Sequence, residues 1–95
     1  MKESLRRLSA KEMLLVERMA LELQQEMMLE DFDPELTTLL CEYAAFCWLA
    51  VETGGGRRFL SPRAVLEECS LEQLADYYET YCAEYLTEGG SADAV

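Results

Sequence analysis

The segment from Thr53 to Pro62, with the sequence TGGGRRFLSP, holds the residues whose types and spacing are best suited to chemistry. Glycines beside basic residues can cradle a phosphate, because free backbone amides and positive side chains both attract the anion. A P-loop requires GxxxxGK[ST] between a strand and a helix, and a dinucleotide site requires GxGxxG after a strand. Here the glycines are contiguous, no lysine follows, and a helix is predicted before them. We therefore interpret the segment as a joint between two helices, with recognition as its candidate function.

Groups suited to catalysis or metal binding are scarce elsewhere in the chain. The sequence has no histidine, which removes the usual general base and the Ser-His and Cys-His triads. Acidic pairs such as Asp31 with Asp33 lie at predicted helix ends, where acidic residues have structural roles. The four cysteines form no CxxC pair and are expected to be small core residues. We predict that the protein is not an enzyme and binds no metal or cofactor.

The charge of the chain is strongly negative and unevenly distributed. Nineteen acidic residues stand against eight basic ones, which gives a net charge of −11. Residues 19–56 and residues 64–95 each include eight acidic residues and no basic residue. Arg57, Arg58 and Arg63 lie between these two stretches. Such a field repels nucleic acid and anionic membranes. We expect a cytoplasmic protein with neither as a partner, because no apolar segment is long enough for a bilayer span or follows the start as a signal peptide does.

Helix-start signals divide the chain into four helices. Capping boxes begin at Ser9 and Ser70, and a capping residue followed by proline stands at residues 33–34 and 61–62. Gly54 fits the left-handed position after a helix, and residues 57–60 fit a short extended connector. The predicted helices span residues 9–30, 34–53, 62–68 and 71–87. The fold class is therefore all-α, a bundle of three long helices and one short helix with a glycine-rich connector, in one domain (1–88) with a flexible tail (89–95).

The apolar patterns of the first two helices suggest where a partner could bind. The first helix has a stripe of apolar residues at helical spacing and four of the five methionines, whose flexible side chains suit varied partners. Ordinary core packing explains the same stripe. The second helix is apolar nearly all round, so it is either the central helix or partly covered by another subunit. The candidate partner-binding residues are Met13, Val16, Met19, Leu23, Met27, Trp48, Arg57, Arg58 and Arg63.

From Leu39 to Tyr85, about half of the chain, the order of features resembles the small tail assembly chaperones of long-tailed bacteriophages and prophages. An apolar helix (LLCEYAAFCWLAV) leads to a glycine turn and a short extended stretch (GGGRRFLSP), followed by AVLEE and a capped SLEQLADYYETY. The resemblance implies a helical protein without a catalytic site. It also implies binding to a hydrophobic, helix-prone tape measure protein, recruitment of tail-tube subunits, and a longer form made by ribosomal frameshifting. It identifies no individual binding residue.

Two binding functions follow from these observations. The first hypothesis is a helical protein-binding module, a tail assembly chaperone acting in the bacterial cytoplasm. The alternative is a small acidic inhibitor that imitates DNA or counters host defence by binding a basic nucleic-acid enzyme, because its long stretches bear only negative charge. Both hypotheses predict a protein partner that is helical, hydrophobic or basic, and both allow a homo-oligomer.

Overall fold

The computed structural model describes residues 3–86, which form a mostly helical structure with a small three-stranded sheet. The helical class that the sequence predicts is confirmed, and the sheet is an addition to it. The elements in chain order are β1 (Glu3–Leu5), α1 (Ala10–Met27), α2 (Pro34–Ala50), β2 (Val51–Thr53), β3 (Gly56–Arg57), α3 (Pro62–Glu68) and α4 (Leu71–Tyr81).

All four helices begin where local signals predict. Ser9 and Glu12 form the capping box of α1, since each side chain accepts a hydrogen bond from the backbone amide of the other. Ser70 and Gln73 form the same arrangement at the start of α4. α2 and α3 each begin with a capping side chain and a proline, whose missing N–H costs nothing in the first turn. These starts depend on neighbouring residues only, so the sequence is enough to place them.

α2 is the central helix of the structure. It packs against α1, α3 and α4, and most of its second half is buried. Cys41 and Cys47 lie in this core, as expected for cysteines with apolar neighbours. Phe46 also lies in the core, with its ring edge-on to Tyr81 of α4 at a centroid distance of 4.8 Å. The nearly continuous apolar surface of α2 is therefore largely explained by packing within one chain.

The sheet is the main feature that the sequence analysis did not predict. β1 and β3 both pair antiparallel with β2, so that β2 is the middle strand. Glu3 pairs with Thr53 and Leu5 with Val51, which brings the start of the chain against the end of α2. The expectation of an all-α bundle is therefore wrong at this end of the molecule. Strands of two or three residues are too short to show alternating polarity, and this pairing joins segments about 50 residues apart in sequence.

The glycine-rich segment is the turn of a β-hairpin. α2 ends at Ala50, Val51 is already extended, and Thr53 pairs with Gly56 across a two-residue loop. Gly54 and Gly55 have φ angles of +63° and +85°, the pair of positive values that a type I′ turn requires. The predictions that α2 continues to Thr53 and that Gly54 directly caps a helix are therefore wrong. The glycines adopt left-handed backbone as predicted, but they do so to reverse a strand.

The first strand is held in place by α4 and by the end of α2. The Arg6 guanidinium lies 2.6 Å from the Glu12 carboxylate and donates to the Leu49 carbonyl oxygen at 3.1 Å. The buried Tyr81 hydroxyl accepts a hydrogen bond from the Leu8 amide at 3.0 Å. These contacts tie the first residues of the chain to the beginning of α1 and to the core.

The helix ends differ more from prediction than the starts. α1 ends at Met27, three residues before the predicted end, and α4 ends at Tyr81 and continues as a π-helical turn over Cys82–Leu86. The predicted end at residue 87, the end of the domain at residue 88 and the tail 89–95 lie outside the described residues. Within residues 3–86, none of the helices has the length and apolar character needed to span a bilayer.

Candidate protein-binding surface

An apolar groove lies beside the turn between α1 and α2. Its apolar lining comes from the end of α1, the turn, the first half of α2 and α3: Met27, Phe32, Leu36, Leu40, Cys41 and Leu66. The groove has a volume of about 270 Å³. Asp33 and Thr37 are the polar residues in its lining. We call this feature the turn groove.

The local sequence explains why the turn groove stays open to solvent. Asp33 caps α2 by accepting a hydrogen bond from the Leu36 amide at 2.9 Å, and Pro34 fixes the first helical residue. This cap sets the direction of α2 and leaves residues 28–33 outside both helices. Phe32 is 55% exposed and Leu29 is 90% exposed, although both are apolar. The turn therefore presents a group of apolar side chains to solvent next to the groove.

The surface around the turn groove is acidic. An adjoining cavity of about 220 Å³ shares Met27, Phe32 and Thr37 with the groove and is also lined by Glu30 and Asp31. Neither lining includes a basic residue. Among residues 3–86, Glu30 and Asp31 take part in no ion pair. The turn groove thus combines an apolar floor with an edge of negative charge.

The methionine stripe of α1 is divided between the core and the surface. Val16 and Leu23 are buried, so in this structure they pack inside the chain. Met19 is half-buried against the core. Met27 is also half-buried and lines the turn groove. Core packing thus accounts for part of the predicted binding set, and Met27 is the stripe residue at the groove.

Met13 lies at a second cavity, between α1, α2 and α4. This cavity, of about 330 Å³, is lined by Met13, Leu39 and Tyr43 together with Glu17 and Glu42. Burial raises the pKa of Glu42, and the negative charge of Glu17 raises it further. With two carboxylates in its lining, the second cavity is less apolar than the turn groove. The structure therefore does not bring Met13 and Met27 into one site.

The arginines after the glycines contact acidic and aromatic side chains of this same chain. Arg58 lies 3.1 Å from the Glu3 carboxylate and 3.4 Å from that of Glu68. Arg57 stacks over the Trp48 ring, with 4.3 Å between the guanidinium carbon and the ring centroid. These contacts hold the hairpin against β1, α2 and the end of α3. Partner binding by Trp48, Arg57 and Arg58 stays a prediction.

Arg63 links α3 to α1. Its guanidinium lies 3.1 Å from the Glu26 carboxylate and 3.6 Å from that of Glu67. Both pairs are exposed to solvent, where such pairs contribute at most about 1 kcal/mol each. Arg63 lines a cavity that also includes Glu22 and Leu23 and shares no lining residue with the turn groove. Its role in binding also stays a prediction.

Burial and hydrogen bonds within the fold explain the shifted pKa values of Glu12, Cys47 and Tyr77. The hydrogen bonds from Arg6 and from the Ser9 amide lower the pKa of Glu12 to about 2. Burial raises the pKa of the Cys47 thiol to about 12, which keeps it protonated and a poor nucleophile. Burial and a hydrogen bond to Glu3 raise the pKa of Tyr77. In residues 3–86, no group of three or more cysteines or carboxylates is placed to hold a metal ion.

The groove residues absent from the predicted binding set belong to the turn, α2 and α3. Phe32, Leu36, Leu40 and Leu66 line the turn groove, and none of them was in the predicted binding set. One signal was available: Phe32 is an apolar residue in the acidic break DFDP, where a solvated turn has no need of it. Leu66 carried no such signal, because its position depends on how α3 packs against α2.

Comparison of the chain with protein-family models, with curated proteins and with solved structures found no match. A function for the chain therefore has to be inferred from its own surfaces and from the resemblance described above.

Proposed function

We propose that the protein is a non-catalytic helical binding module that holds hydrophobic helical segments of a partner, and specifically a tail assembly chaperone for a tape measure protein. The observation that carries the proposal is the turn groove with the exposed apolar side chains beside it. The charge of −11 supports the same function, because it keeps a protein with exposed apolar surface soluble.

The size and lining of the turn groove favour side chains of a protein over a small molecule. Small-molecule sites typically have volumes of about 300 to 1,000 Å³ and enclose most of the ligand. The turn groove, at about 270 Å³, is near the lower end of this range, and it lies open to solvent beside a turn. An amphipathic helix binds such a groove through apolar anchors spaced three or four residues apart. An exposed aromatic residue such as Phe32 supplies contact area for these anchors.

Co-expression with helical segments of candidate tape measure proteins tests this function. We expect the segment to remain soluble and to co-purify with the protein. The Leu36→Gln variant should lose this effect, since Leu36 lines the groove. Glutamine suits position 36 structurally, because the third residue of a capped helix is a favourable position for it. Leu60→Gln is the matched control: Leu60 is 93% exposed and lies outside the groove lining. If no segment co-purifies or gains solubility, the proposed function is wrong.

The acidic inhibitor remains the alternative proposal. It is supported by the long stretches of unbroken negative charge. However, Glu3, Glu12, Glu26 and Glu52 lie within ion-pair distance of arginines of the same chain, and DNA mimicry gives no role to the turn groove. The inhibitor hypothesis predicts binding to a basic nucleic-acid enzyme that weakens steeply with salt. Binding to such an enzyme that salt leaves unchanged would exclude phosphate mimicry.

A further inference from the structure

We propose that the turn groove selects amphipathic helices whose apolar anchors are followed by lysine or arginine, with the cation placed against Glu30 and Asp31. This inference rests on the proposed function and adds to it the location of the site and the charge pattern of the partner.

The edge of the groove is complementary in charge to a basic partner. Glu30 and Asp31 line the cavity that adjoins the turn groove, and both are exposed. Asp33 is also part of the groove lining. Neither lining includes a basic residue, and among residues 3–86 Glu30 and Asp31 take part in no ion pair. A cation of the partner would gain from these negative charges, and an anion would be repelled.

The C-terminal end of α1 also favours a cation beside the groove. Carbonyl groups at a helix C-terminus carry a partial negative charge, and lysine or arginine commonly stands in the last turn to offset it. α1 has no basic residue in its last turn, and the acidic Glu26 that lies there is paired with Arg63 of α3. Met27, at the end of α1, also lines the groove. The negative end of the helix dipole therefore adds to the charges of Glu30 and Asp31 in attracting a cation to this end of the groove.

The size of the groove matches two apolar side chains of a partner helix. A dry apolar cavity of roughly 150 Å³ holds one benzene ring, so about 270 Å³ has room for about two apolar side chains. Leu36 and Leu40 lie one helical turn apart along the floor, about 6 Å at 1.5 Å per residue. Two anchors at positions i and i+4 of a partner helix have the same spacing. The expected ligand is thus a helix with two neighbouring apolar anchors and a basic residue beyond them.

The same charges disfavour a second copy of this chain as the occupant. Two copies joined through the turn groove would bring Glu30, Asp31 and Asp33 of each chain close to those of the other. Like charges across an interface oppose association. The groove is therefore better suited to a basic partner than to self-association.

Binding of synthetic helical peptides to the full chain tests this inference. Three helix-forming peptides have the same length. The first has leucine anchors at i and i+4 followed by lysines, the second has glutamates in place of the lysines, and the third has the composition of the first with the anchors scrambled. Binding is measured by fluorescence anisotropy at low and at physiological salt. Four variants are compared with the wild type. Leu36→Gln tests the floor, with Leu60→Gln as its control. Glu30→Gln with Asp31→Asn tests the edge, with Asp76→Asn and Glu79→Gln on α4 as a control of equal net charge.

We expect the lysine peptide to bind, and the glutamate and scrambled peptides to bind more weakly or not at all. The edge variant should weaken binding of the lysine peptide by between about twofold and thirtyfold, the range for losing two exposed charge contacts. Leu36→Gln should weaken it at least about fivefold, as loss of an anchor contact does. The α4 and Leu60 controls should bind as the wild type does.

Five results would overturn the inference. Equal binding of the lysine and glutamate peptides would show that the charge at the edge does not select the partner. Equal weakening by the edge and α4 variants would show that only net charge matters. Binding that Leu36→Gln leaves unchanged would place the site elsewhere, and a dimer that Leu36→Gln dissociates would make a second copy the occupant. Failure of the peptides while a tape measure segment still co-purifies would refute this inference and leave the proposed function standing.

Discussion

Replacing Gly55 by alanine tests the hairpin that joins α2 to α3. Gly55 has a φ of +85°, and a Cβ added there meets no atom within 4 Å, so the backbone conformation alone opposes a side chain. A left-handed conformation costs an L-residue roughly 1–2 kcal/mol. Alanine regains about 0.4–1 kcal/mol by restricting the unfolded chain. The net loss is about 1 kcal/mol in the free energy of unfolding, or a fall in Tm of about 4–8 °C for a domain of this size.

Gly56→Ala is the matched control, because Gly56 also has open space around its Cβ position but does not have a positive φ. We expect its Tm to equal or slightly exceed that of the wild type. Thermal unfolding followed by circular dichroism measures both variants. Asparagine adopts left-handed backbone more easily than alanine, so Gly55→Asn should lose less stability than Gly55→Ala. If Gly55→Ala and Gly56→Ala have the same Tm, the positive φ at the turn is not what requires glycine there, and our description of the hairpin is wrong.

Three further predictions concern the core and the attachment of the first strand. Tyr81→Phe leaves the buried Leu8 amide without its acceptor and should cost about 1–3 kcal/mol in urea unfolding; an unchanged midpoint would contradict the role of this hydrogen bond. The pKa of Glu12 is about 2, below the value of about 4.3 for a glutamate in the unfolded chain. The ion pair with Arg6 therefore stabilises the fold fully above about pH 4.3, and this stabilisation is lost as the pH falls toward 2. Glu12→Gln should therefore be less stable than the wild type at pH 7 and equally stable near pH 2, and a difference in Tm that does not change with pH would refute this. The Cys47 thiol, with a pKa of about 12, should react with a thiol reagent at pH 8 only after denaturation, as mass spectrometry of the labelled chain would show; rapid labelling of the native protein would contradict its burial.

Local signals in the sequence were sufficient for the helix starts. Ser9 with Glu12, and Ser70 with Gln73, satisfy free amides within four residues of one another, so their pattern can be read without knowing the rest of the fold. The ends of α1 and α2 lack comparable signals. α2 could have continued in isolation, and it ends at Ala50 because Val51 pairs with Leu5 of a distant segment.

The glycine segment shows how one local signal fits two structures. Glycine in left-handed backbone can end a helix or form the turn of a hairpin, and both readings explain Gly54 and Gly55. The choice depends on whether Val51–Thr53 has a strand partner. That partner is Glu3–Leu5, whose three residues form too short a segment to be predicted as a strand.

The turn groove could be predicted only in part. The apolar Phe32 in an acidic break and the methionine Met27 were visible in the sequence, but a groove also needs a third wall. Leu66 of α3 supplies that wall, and its position follows from the packing of α3 on α2. Conversely, Val16 and Leu23 belong to the same apolar stripe as Met27 and are buried. Periodicity identifies the apolar face of a helix, and only the packing partners decide which part of it is covered.

The most direct test of the central claim is a methyl NMR titration of the protein with a helical tape measure segment. We expect saturable shifts of the methyl signals of residues that line the turn groove, namely Met27, Leu36, Leu40 and Leu66. The Leu60 methyl signals, from a side chain outside the groove lining, should stay unchanged. Shifts at Leu60 with none at the groove methyls would contradict the claim that the turn groove is the binding surface.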